Sequence, residues 1–445
     1  VASSSPLDQY LIAHDEQLLG SAPEAARINP QNVHVQIGQM RSAVYELAMG
    51  ANESRDLPAG ESILDALRSA GEVRLSAGRW YWASSAFPAG EISLRTADPA
   101  RVEIVMATDD GRASIIGQVE ASDAPRWVHP DAIYLHEGIQ YLVRSLDLEG
   151  GVARVEPVSL SYMTVASERT EIQVEHVYRA TELSALSTTY GEIRVTSQVT
   201  SYRREDLETH EVLSRQRLDM PERVILTEAC WLGIKGGLVG QLEDEGLWQG
   251  DQGGSRGPNW QQQRALALAR DEHRCRQCGA APLPGRSHDV HHVVPFQAFG
   301  WVPGHNEAYL SANRLDNLIT LCPACHRLAE RLVAVNGTLS DLGHLLRFLV
   351  PLWVLCDPGD IGTHVEVSGQ RMENPTLFVY DRAPGGSGIA RSLPPLVLPL
   401  LEAATERVQR CSCDAGCPSC IGPSLSPQPE RKTRVTALVR GLLSD

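Results

Sequence analysis

Apolar positions along the first ninety residues follow a helical period. In Ser62–Ala70 they fall at Ile63, Ala66, Leu67 and Ala70, the i, i+3, i+4, i+7 spacing of one helix face. Gly71-Glu-Val-Arg-Leu then reads as a strand, Ala77-Gly78 as a turn, and Arg79-Trp-Tyr-Trp82 as an aromatic strand. Helix, strand, tight turn and strand predict a winged helix, with any small α/β module as the other reading. From residue 100 the period changes to two. Alternation marks Arg101-Val-Glu-Ile-Val, Ala132-Ile-Tyr-Leu-His, Tyr141-Leu-Val-Arg-Ser-Leu, Val152-Ala-Arg-Val-Glu and Gly191-Glu-Ile-Arg-Val-Thr. Several short strands at this spacing predict a small β-barrel or sandwich. Residues 244–258 are polar and glycine-rich and read as a flexible linker. Helices are expected from Asn259 to about Asp271, from His326 to about Val335, and again from Asp341. No internal repeat is visible.

Composition narrows this picture. The chain has 445 residues, too many for one domain by ordinary priors, with 42% hydrophobic and 21% charged residues. No apolar run is long enough to span a bilayer, and no secretory pattern opens the chain, so a cytoplasmic location is expected. In that compartment ten cysteines are metal ligands or buried thiols rather than disulfides. Cys230 and Cys356 fall outside any cluster and read as core residues. A net charge of -15 argues against indiscriminate binding of DNA by the whole surface. It leaves room for a local basic face.

The other eight cysteines fall into two sets. Cys275-x-x-Cys278 and Cys322-x-x-Cys325 are two knuckles that can hold one zinc tetrahedrally through sulfur. Cys411, Cys413, Cys417 and Cys420 lie within ten residues and match a second compact site. Four sulfurs leave no open coordination position, so both read as structural. The Asp381–Gly388 turn lacks the Lys-Ser/Thr of a phosphate-binding loop and reads as a tight strand-to-helix turn.

Between and beside the first set stand His291-His292-Val-Val-Pro295 and Asp316-Asn317-Leu-Ile-Thr-Leu-Cys322-x-x-Cys325-His326. This segment resembles the HNH endonucleases. The resemblance implies that His292 is the general base, that His291 and His326 bind the catalytic cation, and that Asn317 holds the loop carrying the base. Two imidazole ligands suit Mn²⁺, Ni²⁺ or Zn²⁺ better than Mg²⁺. The alternative is that the histidines are spent on zinc in a degenerate binding finger. Arg274, Arg276, Arg314 and Arg327, with Arg264, Arg270 and Arg331, crowd the module and are candidate DNA contacts. His273 and His288 read as exposed loop residues.

The flanks carry a second resemblance. It rests on Ser5-Pro-Leu-Asp-Gln-Tyr-Leu, Asn29-Pro-Gln-Asn32, Gly78-Arg-Trp-Tyr-Trp82, Val128-His-Pro-Asp-Ala-Ile-Tyr-Leu-His-Glu-Gly138, Thr200-Ser-Tyr-Arg-Arg204 and Thr227-Glu-Ala. Leu355-Cys-Asp-x-x-Asp-Ile-Gly362, Phe378-Val-Tyr-Asp-x-x-Pro-Gly-Gly-Ser-Gly388 and the Cys411–Cys420 set continue it. These resemble the C-terminal half of superfamily 2 DEAD/DEAH-box helicases of the mitomycin-repair-factor type, whose last domain binds zinc. Its RecA-like motors, with their Walker motifs, have no counterpart here, so this chain alone should not hydrolyse ATP. Val1 at the start suits a fragment or one subunit of a split enzyme.

The expected fold is therefore α+β and multidomain. A winged-helix-like region (1–95) precedes a β-rich part (96–243), the linker (244–258), an inserted ββα-metal HNH module (259–335) and a zinc-binding C-terminal part (336–445). The expected activity is metal-dependent DNA cleavage, with two structural zincs and Mg²⁺, Mn²⁺ or Ni²⁺ at the catalytic site. DNA is the expected partner, with an upstream or separate helicase motor. DNA repair and defence against phage are the two settings that fit. The competing reading is a non-catalytic, DNA-binding zinc scaffold of such a helicase.

Overall fold

A computed structural model describes residues 2–20, 26, 28–50, 53, 59–92, 100–107, 113–209, 212–247, 255–299, 301–367, 374–423 and 430–444. The N-terminal region begins with α1 (Pro6–Ala13) and α2 (Asp15–Gly20), then α3 (Val33–Glu46) and α4 (Gly60–Ser69). Short strands β1 (Met49–Gly50), β2 (Val73–Ser76) and β3 (Arg79–Trp82) form a sheet in the order β1-β3-β2. Met40, Val44, Ile63, Leu64, Leu67, Val73 and Trp80 close its core, which is the winged form expected. Helix α1 belongs elsewhere: Tyr10 is buried in the core of the C-terminal domain, and His14 meets Glu406 at 3.0 Å.

The strand-rich stretch divides between two sheets instead of closing into one barrel or sandwich. Strands β4 (Arg101–Ala107), β5 (Ala113–Glu120), β6 (Ile133–His136), β7 (Ile139–Asp147) and β8 (Val152–Val158) form the first, in the order β5-β4-β8-β7-β6. The short helix α5 (Ala124–Trp127) supplies Ala124, which with Val128 covers Val102, Ile104, Val143, Ala153 and Val155. The second sheet starts with the 21-residue strands β9 (Tyr162–Glu182) and β10 (Leu186–Asp206), followed by β11 (Val212–Arg217) and β12 (Arg223–Ile234). Strand Gly191-Glu-Ile-Arg-Val-Thr, expected with the first group, lies here. Local alternation fixes that a segment is a strand and says nothing of which distant strand it pairs with.

That second sheet is completed from far along the chain. Strands β15 (Ile361–Glu366) and β16 (Thr376–Asp381) continue it, with Ala229 opposite Tyr380 and Gly233 opposite Thr376. Everything between β12 and β15 is thus an insertion into one continuous sheet. It contains α6 (Gly236–Asp244), α7 (Trp260–Arg270), α8 (Ala308–Ala312), the strands β13 (Asp289–His292) and β14 (Leu318–Leu321), and α9 (Pro323–Leu349). The middle of the expected linker, 248–254, lies outside the described residues. After β16 come α10 (Ile389–Ser392), α11 (Val397–Arg410) and α12 (Arg431–Leu443). Strand β12 is buried on both faces. Cys230, Leu232 and Ile234 join Leu342, Leu346, Leu349, Leu400, Leu401 and Leu438 in the main core, while Ala229 and Trp231 join Ile193, Val195 and Phe378 on the other side. Cys230 is the core thiol expected, and burial pushes its pKa up to about 12; Cys356 is half-buried against the same core.

Two helices were expected across 326–341, and one continuous helix stands there. Asn336-Gly337 looks like a stop, yet a glycine inside a helix costs only about 1 kcal/mol, and tertiary burial on both sides overrides it. Asp381 explains the glycine turn that follows β16. Its carboxylate accepts from the backbone N–H groups of Ser387, Gly388 and Ala390, which ties the turn to the end of β16. Asn32, the N-cap of α3, donates to the carbonyls of Pro384 and Gly386 at 2.8 Å each, so two motifs far apart in sequence touch at this turn.

Candidate active site and zinc centres

Antiparallel β13 and β14, with α9 across them, form a ββα unit. His292 pairs with Leu318 and Asp289 with Leu321. Strand parity sends Val290 and His292 into the small core with Ala267, Leu268 and Leu318, and His291 toward α9.

The four sulfurs of Cys275, Cys278, Cys322 and Cys325 gather within 4.8 Å of one another. Cys278 and Cys322 Sγ are 3.8 Å apart, and a tetrahedral zinc with Zn–S of ~2.3 Å places its sulfurs at roughly that distance. Cys322 also caps α9, its sulfur accepting from Cys325 N. Cys411, Cys413, Cys417 and Cys420 form the second set, with Sγ–Sγ distances of 3.5, 3.6, 3.5 and 3.8 Å. Lys432 donates to the carbonyls of Cys411 and Cys413 and so fixes this knuckle against α12. Both donor sets suit zinc in kind and in spacing.

A third cluster lies where the two imidazoles were expected. His291 Nδ1 is 3.2 Å from Glu330 Oε1, and His326 Nε2 is 3.4 Å from the same oxygen. Glu330 follows His326 by one helical turn on α9, so the helix presents both to His291. The sequence reading missed Glu330. Its signal was the i, i+4 spacing from His326, visible only once the helix is assumed. Burial works against ionisation of Glu330, but contact with His291 and the charges of His291, His326 and Arg256 hold its pKa below the ordinary value. A carboxylate changes the metal preference expected of two imidazoles alone, because a hard oxygen ligand accommodates Mg²⁺.

His292 is 6% exposed and lies flat against Trp260, ring centroids 5.0 Å apart. Its Nε2 is 2.9 Å from Asn313 Oδ1. Asn313 is fully buried, and its amide nitrogen faces two oxygens, Arg256 O at 2.6 Å and Asn259 Oδ1 at 2.7 Å. That fixes the amide's orientation, so Oδ1 accepts and His292 Nε2 carries the proton. The basic lone pair of the neutral ring is then on Nδ1. Burial holds the pKa of His292 below 6.5; Asn313 opposes this, and Arg256 and His291 reinforce it. Asn317 lies buried immediately before β14. Its side chain accepts from Val294 N at 2.7 Å and donates to Val294 O and Ala312 O, clipping the backbone just after His292.

Most of the arginines have local duties. Arg270 pairs with Asp271 and donates to Leu318 O, and Arg264 donates to His288 O. Arg314 pairs with Asp316, and Arg331 reaches Glu243 at 3.1 Å. Arg274, Arg276 and Arg327 are exposed, the first donating to Gly279 O and the second lying 3.8 Å from Asp271. His288 is a correction. It is buried, with Nε2 2.9 Å from Ala280 O, because the knuckle loop folds back over it. The module also rests on its host, through Arg217 and Asp316 at 3.5 Å and through Arg215 over the Phe299 ring at 5.0 Å.

Comparison with known proteins finds a family match in each of two parts of the chain. Residues 275–331 match the HNH endonuclease family model, and residues 342–421 match the MrfA Zn-binding domain model. The chain is 27% identical over 425 residues to the uncharacterized ATP-dependent helicase YprA of Bacillus subtilis, covering 96% of this chain and 45% of that protein. It is 25% identical over 252 residues to the ATP-dependent helicase HRQ1 of Saccharomyces cerevisiae, covering 53% of this chain and 22% of that one. The chain therefore spans less than half the length of either relative. The crystal structure of the DUF1998 helicase MrfA shares its fold, with TM-score 0.53 and 24% identity over 98% of this chain and 48% of that one. No described helix is long and apolar enough to cross a membrane.

Proposed function

We propose that this chain is a metal-dependent DNA endonuclease set into the accessory half of a helicase of the MrfA kind. The observation that carries this is the convergence of His291, His326 and Glu330 on one point, one residue from a histidine whose free lone pair is fixed by Asn313. His291, His326 and Glu330 would hold a divalent cation such as Mg²⁺ or Mn²⁺, which when bound supplies Lewis acidity to the phosphate and to the leaving oxygen. His292 Nδ1 takes the proton of the attacking water as its oxygen bonds to phosphorus and the opposite P–O bond breaks. Asn313 holds the ring in the reactive tautomer, and Asn317 holds the backbone that carries it. The two four-cysteine zincs keep the module and the C-terminal domain folded. Similarity to helicases supports DNA as the substrate and a RecA-type motor as the associated unit.

The test is cleavage of supercoiled, linear and single-stranded DNA by the purified chain with Mg²⁺ or Mn²⁺. Cutting that needs the cation and is abolished in His292→Ala supports the reading. DNA binding without cutting under all these conditions transfers support to the zinc scaffold.

A further inference from the structure

The polar stretch before α7 was expected to be a free linker, but its last residues are built into the nuclease site. Gly257, at φ +82°, lies so close to Tyr309 that a Cβ would stand 2.5 Å from that side chain. The carbonyl of Arg256 accepts from buried Asn313, the residue that orients His292. These two contacts fix the backbone immediately after the Arg256 Cα. Its side chain is fixed as well: the guanidinium carbon lies 5.0 Å above the Trp260 ring, and Trp260 stacks on His292. Arginine, tryptophan and histidine thus form one file ending at the proposed base. The positive charge is near enough to act on His292, His326 and Glu330 together. Among the described residues no carboxylate pairs with Arg256. Most arginines of the module either meet an anion or donate to a carbonyl; this one is half-buried, immobilised and turned toward the reacting centre.

We propose that Arg256 is a substrate-binding residue that contacts the DNA phosphate at the cutting site, delivered there by the segment joining the host sheet to the module. A planar guanidinium stacked on an aromatic face keeps its N–H edge free for phosphate oxygens, which suits an anion shared with a cation. The proposal rests on the nuclease reading, but its binding arm can be measured without cleavage.

The experiment uses the full chain and the variants Arg256→Ala and Arg256→Lys, alone and in a His292→Ala background. Arg256→Ala should lower the cleavage rate on the order of 10²-fold, the usual worth of one donor to a developing charge. Arg256→Lys should recover part of that loss. Apparent Mn²⁺ affinity should be no weaker than the parent's, and zinc content should match it. In the His292→Ala background, the slope of log binding constant against log salt for duplex DNA should shrink by about 0.9 with Arg256→Ala, the signature of one lost phosphate contact. An unchanged slope overturns the proposal, whatever the cleavage rate. So does a cleavage defect accompanied by weaker Mn²⁺ binding or a lower melting temperature, because Arg256 would then be holding the fold. If the parent does not cut DNA, the nuclease reading falls, and the salt slope still decides whether Arg256 touches phosphate.

Discussion

At the scale of single residues, the proposed site divides labour between neighbours on one strand. His291 and His292 point to opposite faces of β13, one toward Glu330 and the other toward Asn313. Their alanine variants should therefore fail differently. His292→Ala should keep cation binding and lose roughly 10²–10⁴-fold in rate, the ordinary contribution of a positioned base. His291→Ala and Glu330→Gln should weaken cation binding, and excess Mn²⁺ should restore part of their rate. Parent-like cleavage by His292→Ala would remove the centre of the mechanism. A second residue-scale prediction concerns His344 on α9. Its ring lies 4.8 Å from Phe348 and against Gly422, and burial, helped by the charges of Arg347 and Arg431, lowers its pKa to about 4. The unfolded chain takes up that proton near pH 6.5, the native chain only near pH 4, so native stability is full above about 6.5 and is lost as pH falls toward 4. The whole effect is on the order of 3 kcal/mol, and a little under half of it is gone by pH 5.5. Thermal melts at pH 7.5 and 5.5 should show a smaller drop for His344→Gln than for the parent; equal drops would rule the assignment out.

At the scale of elements, what was legible in the sequence followed the range of the interaction. The cysteine sets, the histidine pair and Asn317 were legible because the chemistry needs those residue types at short, fixed spacing. Glu330 was hidden, since a glutamate on a helix is ordinary until His326 is known to face a partner. Asn313 and Arg256 were hidden more deeply: each matters through contacts that only the folded chain makes. The same holds for the strands. Their existence could be read locally, but the division into two sheets, and the completion of one by β15 and β16, is long-range pairing. Gly337 falls in the gap left between two expected helices, yet it lies inside α9 with open space where an alanine methyl group would stand. Gly337→Ala should therefore stabilise the chain by about 0.5–1 kcal/mol, because alanine loses less backbone entropy in a helix. A rise in melting temperature without change in cleavage would fit; a fall would mean that the helix needs its flexibility there.

For the whole molecule, metal is the simplest global observable. Two complete thiolate sets in separate units imply two zincs per chain. Elemental analysis after gentle purification should find both, and a value below about one would undo the assignments. Cys417→Ser should lower zinc to one and destabilise the C-terminal domain, with Cys411, Cys413 and Cys420 left as an incomplete set. The HNH-like module should stay folded, because Cys275, Cys278, Cys322 and Cys325 are untouched. Limited proteolysis can separate these outcomes. Loss of both units together would show that the second zinc supports more than its own domain.

Helix α9 carries His326 and Glu330 near its start and Leu342, Leu346 and Leu349 in the host core near its end. The two ends share one uninterrupted screw. One residue added between them would turn the proposed cation ligands by about 100° and advance them by about 1.5 Å while leaving each end's sequence intact. Seven residues would bring them back to within about 20° of the original heading. The direction in which the module faces is thus encoded as a phase angle, which whole turns restore and fractions of one do not. A module hung on a loose tether would have no such arithmetic.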